Sequence, residues 1–350
     1  CFIFIYSLIQ LNLIVNYLRS KRKKKTTPIL PEKKDLPIVT IQLPLYNELY
    51  VVERLIDCIC QFDYPKEKME IQVLDDSDDE SFEIAARKVH YYQLQGFDIK
   101  HIKRPQRVGY KAGALAYGTA ICKGEFIAIF DADFLPEADF LKQTIPYFEN
   151  DKIGVVQSKW EYTNSDYSFL TRSQAFGLNA HFTVEQVGRN AGGHFINFNG
   201  TAGVWRKACI YDAGGWQSDT ITEDLDLSYR AQLKGWVFKY IEKVVVPAEL
   251  PIDMAGLKNQ QFRWSKGAAE CTRKNLGKVL KSPRLSLWTK FAAIFHLMNS
   301  SVYIVIAGLI ALSVPLVKIG IENPVYENYY QYFGFFLINT FFLGFMYFIA

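Results

Sequence analysis

EFIAIFDAD (residues 125–133) is the stretch on which the fold turns. Its apolar run has the length of a strand buried on both faces, and it ends in two aspartates. In an extended segment Asp131 and Asp133 project to the same side, two residues apart. Two hard oxygen ligands, with room left for water and phosphate, suit Mg2+ or Mn2+. The competing reading is a pair of turn or capping aspartates before FLPEADFL (134–141). A lone D-x-D decides nothing, so its place in the chain has to.

Upstream, the same grammar repeats. IVTIQLPL (38–45), MEIQVLDDS (69–77) and FDIKHIKR (97–104) read as strands. NELYVVERLIDCICQF (47–62), SFEIAARKVHYYQLQG (81–96) and KAGALAYGTAIC (111–122) have apolar residues at helical spacing. Strand alternating with helix predicts an α/β fold, a mainly parallel sheet with helices on both faces. Ligands in such sheets sit beyond the carboxyl ends of the strands. Three of these strands end in chemistry: LPLYNE, LDDSDD and FDADF.

Asp75 and Asp76 are adjacent carboxylates that need solvent, hydrogen bonds or a cation. They read as acceptors for base or ribose hydroxyls, and Asp78 and Asp79 as caps of the following helix. Lys111 in GYKAGAL (109–115) stands at a helix start, where its ammonium can meet a diphosphate; an ordinary surface lysine fits as well. No Walker-type loop is present. FNGTAGVWR (198–206) offers Asn199 or Thr201 to a hydroxylated ligand, or is a plain turn. In TED (222–224), Asp224 is either a helix cap or a proton acceptor for an attacking hydroxyl. NQQFRW (259–264) sets Gln260, Arg263 and Trp264 just ahead of an apolar region, where its local reading is a membrane anchor with Trp at the headgroups.

The 350 residues suffice for one large domain or two ordinary ones, and the formal charge of +4 gives no footing for a nucleic-acid polymer as partner. Apolar residues concentrate at the two ends. CFIFIYSLIQLNLIVNYL (1–18) is uncharged and long enough to span a bilayer. A signal peptide is disfavoured, because the basic residues follow the apolar run and no A-x-A site appears. RSKRKKK (19–25) and the basic residues Lys274 to Lys290 then place the intervening domain in the cytoplasm. This organisation predicts a span over 1–18, a basic linker over 19–37, a domain over 38–282, an amphipathic interfacial helix over 283–296, and spans over 297–317 and 329–350. Six cysteines without a CxxC pair fit reduced thiols in the cytosol. With no initiator Met and an ending inside an apolar run, we expect a fragment.

Taken in order, LPLYNE, LDDS, GYKAGAL, FDADF, FNGTAG, TED and QQFRW resemble the D, DxD, TED, QxxRW series of processive family 2 glycosyltransferases. QVLDDS, GYKAGAL, AIFDADF, HFTVEQ and FNGTAGVWR are similar, more narrowly, to cellulose synthase-like enzymes that make mannan, glucomannan or xyloglucan backbones. The resemblance covers roughly residues 38–275. It implies a GT-A (Rossmann-like) domain and inverting transfer of a hexose from an NDP-sugar, UDP-glucose or GDP-mannose, to a growing β-linked polysaccharide. The alternative outcome is transfer of one hexose to a lipid such as ceramide or diacylglycerol. A receptor keeping a degenerate sugar-binding domain is a third class, which the presence of Asp131, Asp133, Asp224 and Arg263 opposes.

By residue, the resemblance assigns Asp131 and Asp133 to Mg2+ or Mn2+. It assigns Asn47, Glu48, Asp75, Asp76, Lys111 and Arg263 to the nucleotide-sugar, and Asp224 to the catalytic base. Asn199, Gly200, Thr201, Glu223, Gln260 and Trp264 are assigned to the acceptor. It implies a multi-pass membrane location, inner or plasma membrane or Golgi-type, with membrane lipid and export subunits as further partners. The chain shows one span before the domain and two after it, fewer than a translocating channel takes, and no cyclic-dinucleotide-binding domain.

Overall fold

A computed structural model describes residues 2–22, 28, 32, 36–322 and 338–350. Its centre is a seven-stranded sheet. The four strands expected from the sequence form one half: β1 Val39–Leu45, β2 Met69–Asp75, β3 Ile99–Ile102 and β4 Phe126–Ile129. They lie parallel in the order β3-β2-β1-β4, with Leu45 opposite Asp75 and Gln42 opposite Ile129. Helices α2 (Val52–Cys60), α3 (Ser81–Leu94) and α4 (Tyr110–Ile121) make the crossovers. α2 starts later than expected, because Asn47 sits at φ 58 and the chain turns before Val52.

β1 shows why the parallel half holds together. Val39, Ile41 and Leu43 enter a core with Leu55, Ile56, Val73 and Phe130. The alternate positions face α4 as a buried polar ladder: the Thr40 hydroxyl donates to Glu70 at 2.8 Å, and the Gln42 amide to Gln72 at 3.0 Å. A side chain at Gly118 of α4 would come within 2.6 Å of Gln42, so glycine lets the helix seat on this ladder. The second core, around Trp205, Phe198, Ile127 and Phe182, fills the other face.

The other half departs from simple alternation. After α5 (Phe140–Thr144), β5 (Ile153–Tyr162) begins a long excursion through α6 (Phe169–Asn179), a π-helical turn (Ala180–Glu185) and α7 (Gln186–Ala191). β6 (Gly203–Arg206) then inserts antiparallel between β4 and β5. Following α8 (Lys207–Asp212) and α9 (Glu223–Leu233), β7 (Val237–Ala248) pairs parallel to β5 at the sheet edge. α10 (Met254–Lys281) runs 28 residues, capped by the Asp253 carboxylate on the Gly256 N–H.

At the ends, α1 (Phe2–Arg22) and residues 301–319 of α12 (Ser301–Glu322) are long and apolar enough to cross a membrane. α1 runs past the expected boundary at 18, carrying Arg19, Lys21 and Arg22 in its last turn, where cations suit the helix dipole. Its inner face packs on α7 so closely that a Cβ at Gly188 would meet the Leu13 carbonyl at 2.4 Å. α11 (Leu287–Leu297) buries Ala292, Ala293 and Leu297 and exposes Leu287 and Trp288; it begins later than the helix expected over 283–296. Of the third expected span, 329–350, the described part is the 12-residue α13 (Ile338–Ile349). Residues 329–337, most of the linker residues 23–35, and residues 323–328 between the last two expected spans lie outside the described residues.

Candidate active site

Beyond the carboxyl end of β4, the chain carries Asp131 and Asp133 into a cavity of 1130 Å3. Segments from elsewhere converge on them. A left-handed pair, Gly109 (φ 75) and Tyr110 (φ 48), opens α4 and sets Lys111 on its first turn. The Lys111 ammonium lies 2.5 Å from Asp131 Oδ1 and 3.0 Å from the Gly200 carbonyl. Gly200 (φ 82) belongs to the loop before β6; a Cβ there would stand 3.2 Å from Asp224 Oδ2. The Thr201 hydroxyl accepts the Asp131 N–H at 2.8 Å. Glu223 and Asp224 open α9, so the helix N-terminus points its free N–H groups at the same place.

The electrostatics follow from this crowding. Burial pushes Asp133 up to about 7, with the Asp131 charge adding to it. Burial likewise raises Asp224 to about 6, against the Leu225 N–H and the Lys111 charge. Glu223 rises to about 7 through burial, Lys111 opposing and Asp224 reinforcing. Glu48 is raised by burial and by Asp131. Burial alone would lower Lys111, but Asp131, Glu223 and Asp224 hold it above the ordinary lysine value. The cavity is thus short of positive charge.

That shortage fits a divalent cation. Among the described residues no group of three or more His, Cys, Asp or Glu side chains is arranged to hold a metal. Asp131 and Asp133 supply hard oxygen donors, and an ion bound there would complete its shell with water and phosphate oxygens, as Mg2+ and Mn2+ do.

All the site residues named from sequence line this cavity except Asn47, Asp75 and Thr201. Asp75 is fully buried and turned inward, Oδ2 at 2.8 Å from His101 Nε2 and Oδ1 accepting the Ser77 N–H at 2.9 Å. Successive residues of a strand point to opposite sides, so Asp75 and Asp76 cannot share a face. Asp76 does reach the cavity wall, held by a forked ion pair to Arg104. Asn47 is occupied with Asp78, donating to its carboxylate at 2.9 Å and accepting its N–H at 3.1 Å. Thr201 is buried beneath Asp131 rather than open to a ligand.

α10 brings Gln260, Arg263 and Trp264 to the same wall. Sequence reading passed over Tyr46, Arg107, Trp160 and Tyr162, which also line it. The Arg107 guanidinium stacks 3.1 Å from the Tyr46 ring centroid. Tyr46 stands inside LPLYNE and could have been named, whereas Trp160 and Tyr162 on β5 carry no local mark.

The profile of Glycosyltransferase like family 2 matches residues 37–267. Glucomannan 4-beta-mannosyltransferase 7 of Arabidopsis thaliana is 41% identical over 264 residues, covering 74% of this chain and 48% of that protein. Glucomannan 4-beta-mannosyltransferase 1 of Oryza sativa subsp. japonica is 39% identical over 288 residues, covering 79% and 55%. The chain spans about half the length of the curated relatives it matches. Among solved structures, the mannosyltransferase PcManGT from Pyrobaculum calidifontis in complex with GDP-Man and Mn2+ superposes with a TM-score of 0.64 at 18% identity, over 98% of this chain and 97% of that one. S. aureus TarS 1-349 in complex with UDP-GlcNAc gives 0.55 at 16% identity, over 75% and 72%. At these identities the likeness is one of fold.

Proposed function

The chain belongs to glycosyltransferase family 2, and from that premise we propose that it transfers a hexose, with inversion, from an NDP-sugar to a growing β-linked polysaccharide. GDP-mannose is the donor we favour over UDP-glucose, because relatives 41% and 39% identical are named glucomannan 4-beta-mannosyltransferases. The observation that carries the reading is the meeting of Asp131, Asp133, Lys111 and Asp224 with Gln260, Arg263 and Trp264 on one cavity wall.

In this reading Asp224 takes the proton of the acceptor hydroxyl, whose oxygen attacks the anomeric carbon from the face opposite the leaving group. The carbon–oxygen bond to the diphosphate breaks and the diphosphate departs with the electron pair. A base tuned to about 6 is largely unprotonated at neutral pH yet still basic enough to accept. Asp131 and Asp133 would hold Mg2+ or Mn2+, which when bound supplies Lewis-acid charge to the leaving group. Lys111 and Arg263 add cationic donors there; Arg263 makes no hydrogen bond among the described residues, leaving its fork open to phosphate. Trp264 presents an aromatic face to a pyranose, and Gln260 orients it. Two candidate spans flank the domain, over Phe2–Arg22 and Ser301–Ile319, and we place the enzyme in a membrane with its domain on the cytoplasmic side.

Membranes carrying the full chain, given labelled GDP-mannose or UDP-glucose with and without EDTA, test this directly. A β-mannanase-sensitive polymer from GDP-mannose that vanishes with EDTA is expected. The Asp224→Asn enzyme should bind donor and lose transfer by about 10³-fold or more. A chloroform-soluble product would replace the polysaccharide with a lipid acceptor, and undiminished turnover by Asp224→Asn would sink the base assignment.

A further inference from the structure

Gln157, in the middle of β5, is fully buried and does not itself line the cavity, yet its side chain is the most heavily used amide in the domain. Its Oε1 accepts the Asn199 N–H at 3.1 Å. Its Nε2 donates to the carbonyls of Thr201 at 3.1 Å, Ala202 at 3.0 Å and its own neighbour Ser158 at 3.0 Å. One planar group thus grips both arms of the loop 199–202. The loop needs gripping, because Gly200 (φ 82) and Ala202 (φ 54) both adopt left-handed backbone, unfavourable for alanine. The approach is close enough that a Cβ at Gly203 would stand 3.2 Å from Gln157 Oε1.

What the loop presents on its other side is the chemistry. The Gly200 carbonyl receives Lys111, the Thr201 hydroxyl receives the Asp131 N–H, and a Cβ on Gly200 would stand 3.2 Å from Asp224 Oδ2. The cation, the D-x-D strand end and the base therefore take their mutual spacing from a turn that Gln157 pins from behind. We propose that Gln157 is a positioning residue for the transfer reaction, fixing the 199–202 turn so that Lys111, Asp131 and Asp224 stand in reacting geometry; this inference rests on the glycosyl-transfer reading given above. It touches no substrate, so its removal acts more on turnover than on donor binding.

Two variants of the full chain in detergent test it. Gln157→Met keeps the length and removes every polar contact. Gln157→Glu keeps the acceptor for Asn199, and when protonated it regains one donor for the carbonyls; a carboxyl this buried holds its proton well above the usual carboxylate range. Gln157→Met should lower kcat on the order of 10²-fold, the loss expected of a displacement near 1 Å, with donor KM rising far less. Gln157→Glu should be partly active at pH 6 and decline toward the Met variant by pH 8.5. The parent enzyme, whose base must be unprotonated, should not decline over that interval. Hydrogen exchange of the peptide covering 198–203 should quicken in Gln157→Met and recover in Gln157→Glu at pH 6.

A Met variant with parental kcat overturns the proposal. So does a loss of kcat accompanied by an equal rise in donor KM and exchange quickened throughout the sheet, which would mark general unfolding. If the parent transfers neither sugar, the reaction reading fails instead, and the local exchange result alone decides whether Gln157 holds the turn.

Discussion

Asp224 gains its character from where it stands: the first turn of α9, half-buried, with Lys111 and Asp131 both near enough to be felt. Burial raises its pKa to about 6, and a base must be unprotonated to act. kcat/KM should therefore rise with pH through roughly 6 and level off above 7; a profile falling between pH 5 and 7 would remove Asp224 from the role. Asp75 makes the opposite case. Its two carboxylate oxygens are spent on His101 and Ser77, which outweigh burial and hold its pKa low. Asp75→Asn should cost about 1.5–3 kcal/mol of stability, the range for hydrogen bonds to charged groups, while nucleotide affinity stays as it was. A large rise in donor Kd without loss of stability would return Asp75 to the binding site. These two aspartates also mark how far local reading reaches. Asp131, Asp133 and Asp224 were legible because each stands where a strand ends or a helix begins, and such ends point at the cleft. Asp75 was misplaced because adjacency in sequence says nothing about which of two neighbours turns inward.

α9 and α10 together carry Glu223, Asp224, Gln260, Arg263 and Trp264, so their relative placement sets the site. Asp226, fully buried on α9, ties them: it accepts Arg230 Nε at 2.8 Å on its own helix, and Lys274 at 2.9 Å and Asn275 at 2.9 Å from α10. Nearer the cavity the helix rides directly over Thr222, where a Cβ at Gly267 would come within 2.4 Å of the Thr222 side chain. Gly277 on the same helix has nothing within 4 Å of such a Cβ. Gly267→Ala should push α10 off the TED turn and cut kcat by about tenfold or more. Gly277→Ala should stabilise by roughly 0.5–1 kcal/mol through helix propensity and leave kcat alone. Equal effects from the pair would mean that the crossing does not set the geometry. None of this coupling was visible in the sequence, where both glycines sit in the same periodic pattern. The parallel strands β1 to β4 were readable because each couples a short apolar run to a turn or carboxylate signal. β6 was readable as a strand-like run beside the FNGTAG turn, but its antiparallel insertion was not, since a four-residue strand owes that place to β4 and β5 rather than to its own residues.

The molecule as a whole gathers raised carboxyls on one wall and leaves them to be neutralised from outside. Asp133 and Glu223 near 7 and Asp224 near 6 each bind a proton more tightly folded than unfolded. Their contribution to stability is therefore full below about pH 4, the range of unfolded carboxyls, and is lost as pH climbs through 6 to 7. A cation and a nucleoside diphosphate that replace those protons should restore what is lost. Because protons and metal compete for the same oxygens, binding tightens as pH rises. Melting of the detergent-solubilised chain with and without Mn2+ plus GDP, from pH 5.5 to 8, reads this out. Saturating ligand at a hundredfold over Kd is worth about 2.7 kcal/mol, so the increment in Tm should be measurable at neutral pH and should widen toward pH 8. Mn2+ alone should give a smaller increment, since no set of three protein carboxylates among the described residues closes around an ion without phosphate. An increment that is flat or shrinks with rising pH would mean that the acidic wall is neutralised from within the protein, and that neither metal nor diphosphate is what it was built to receive.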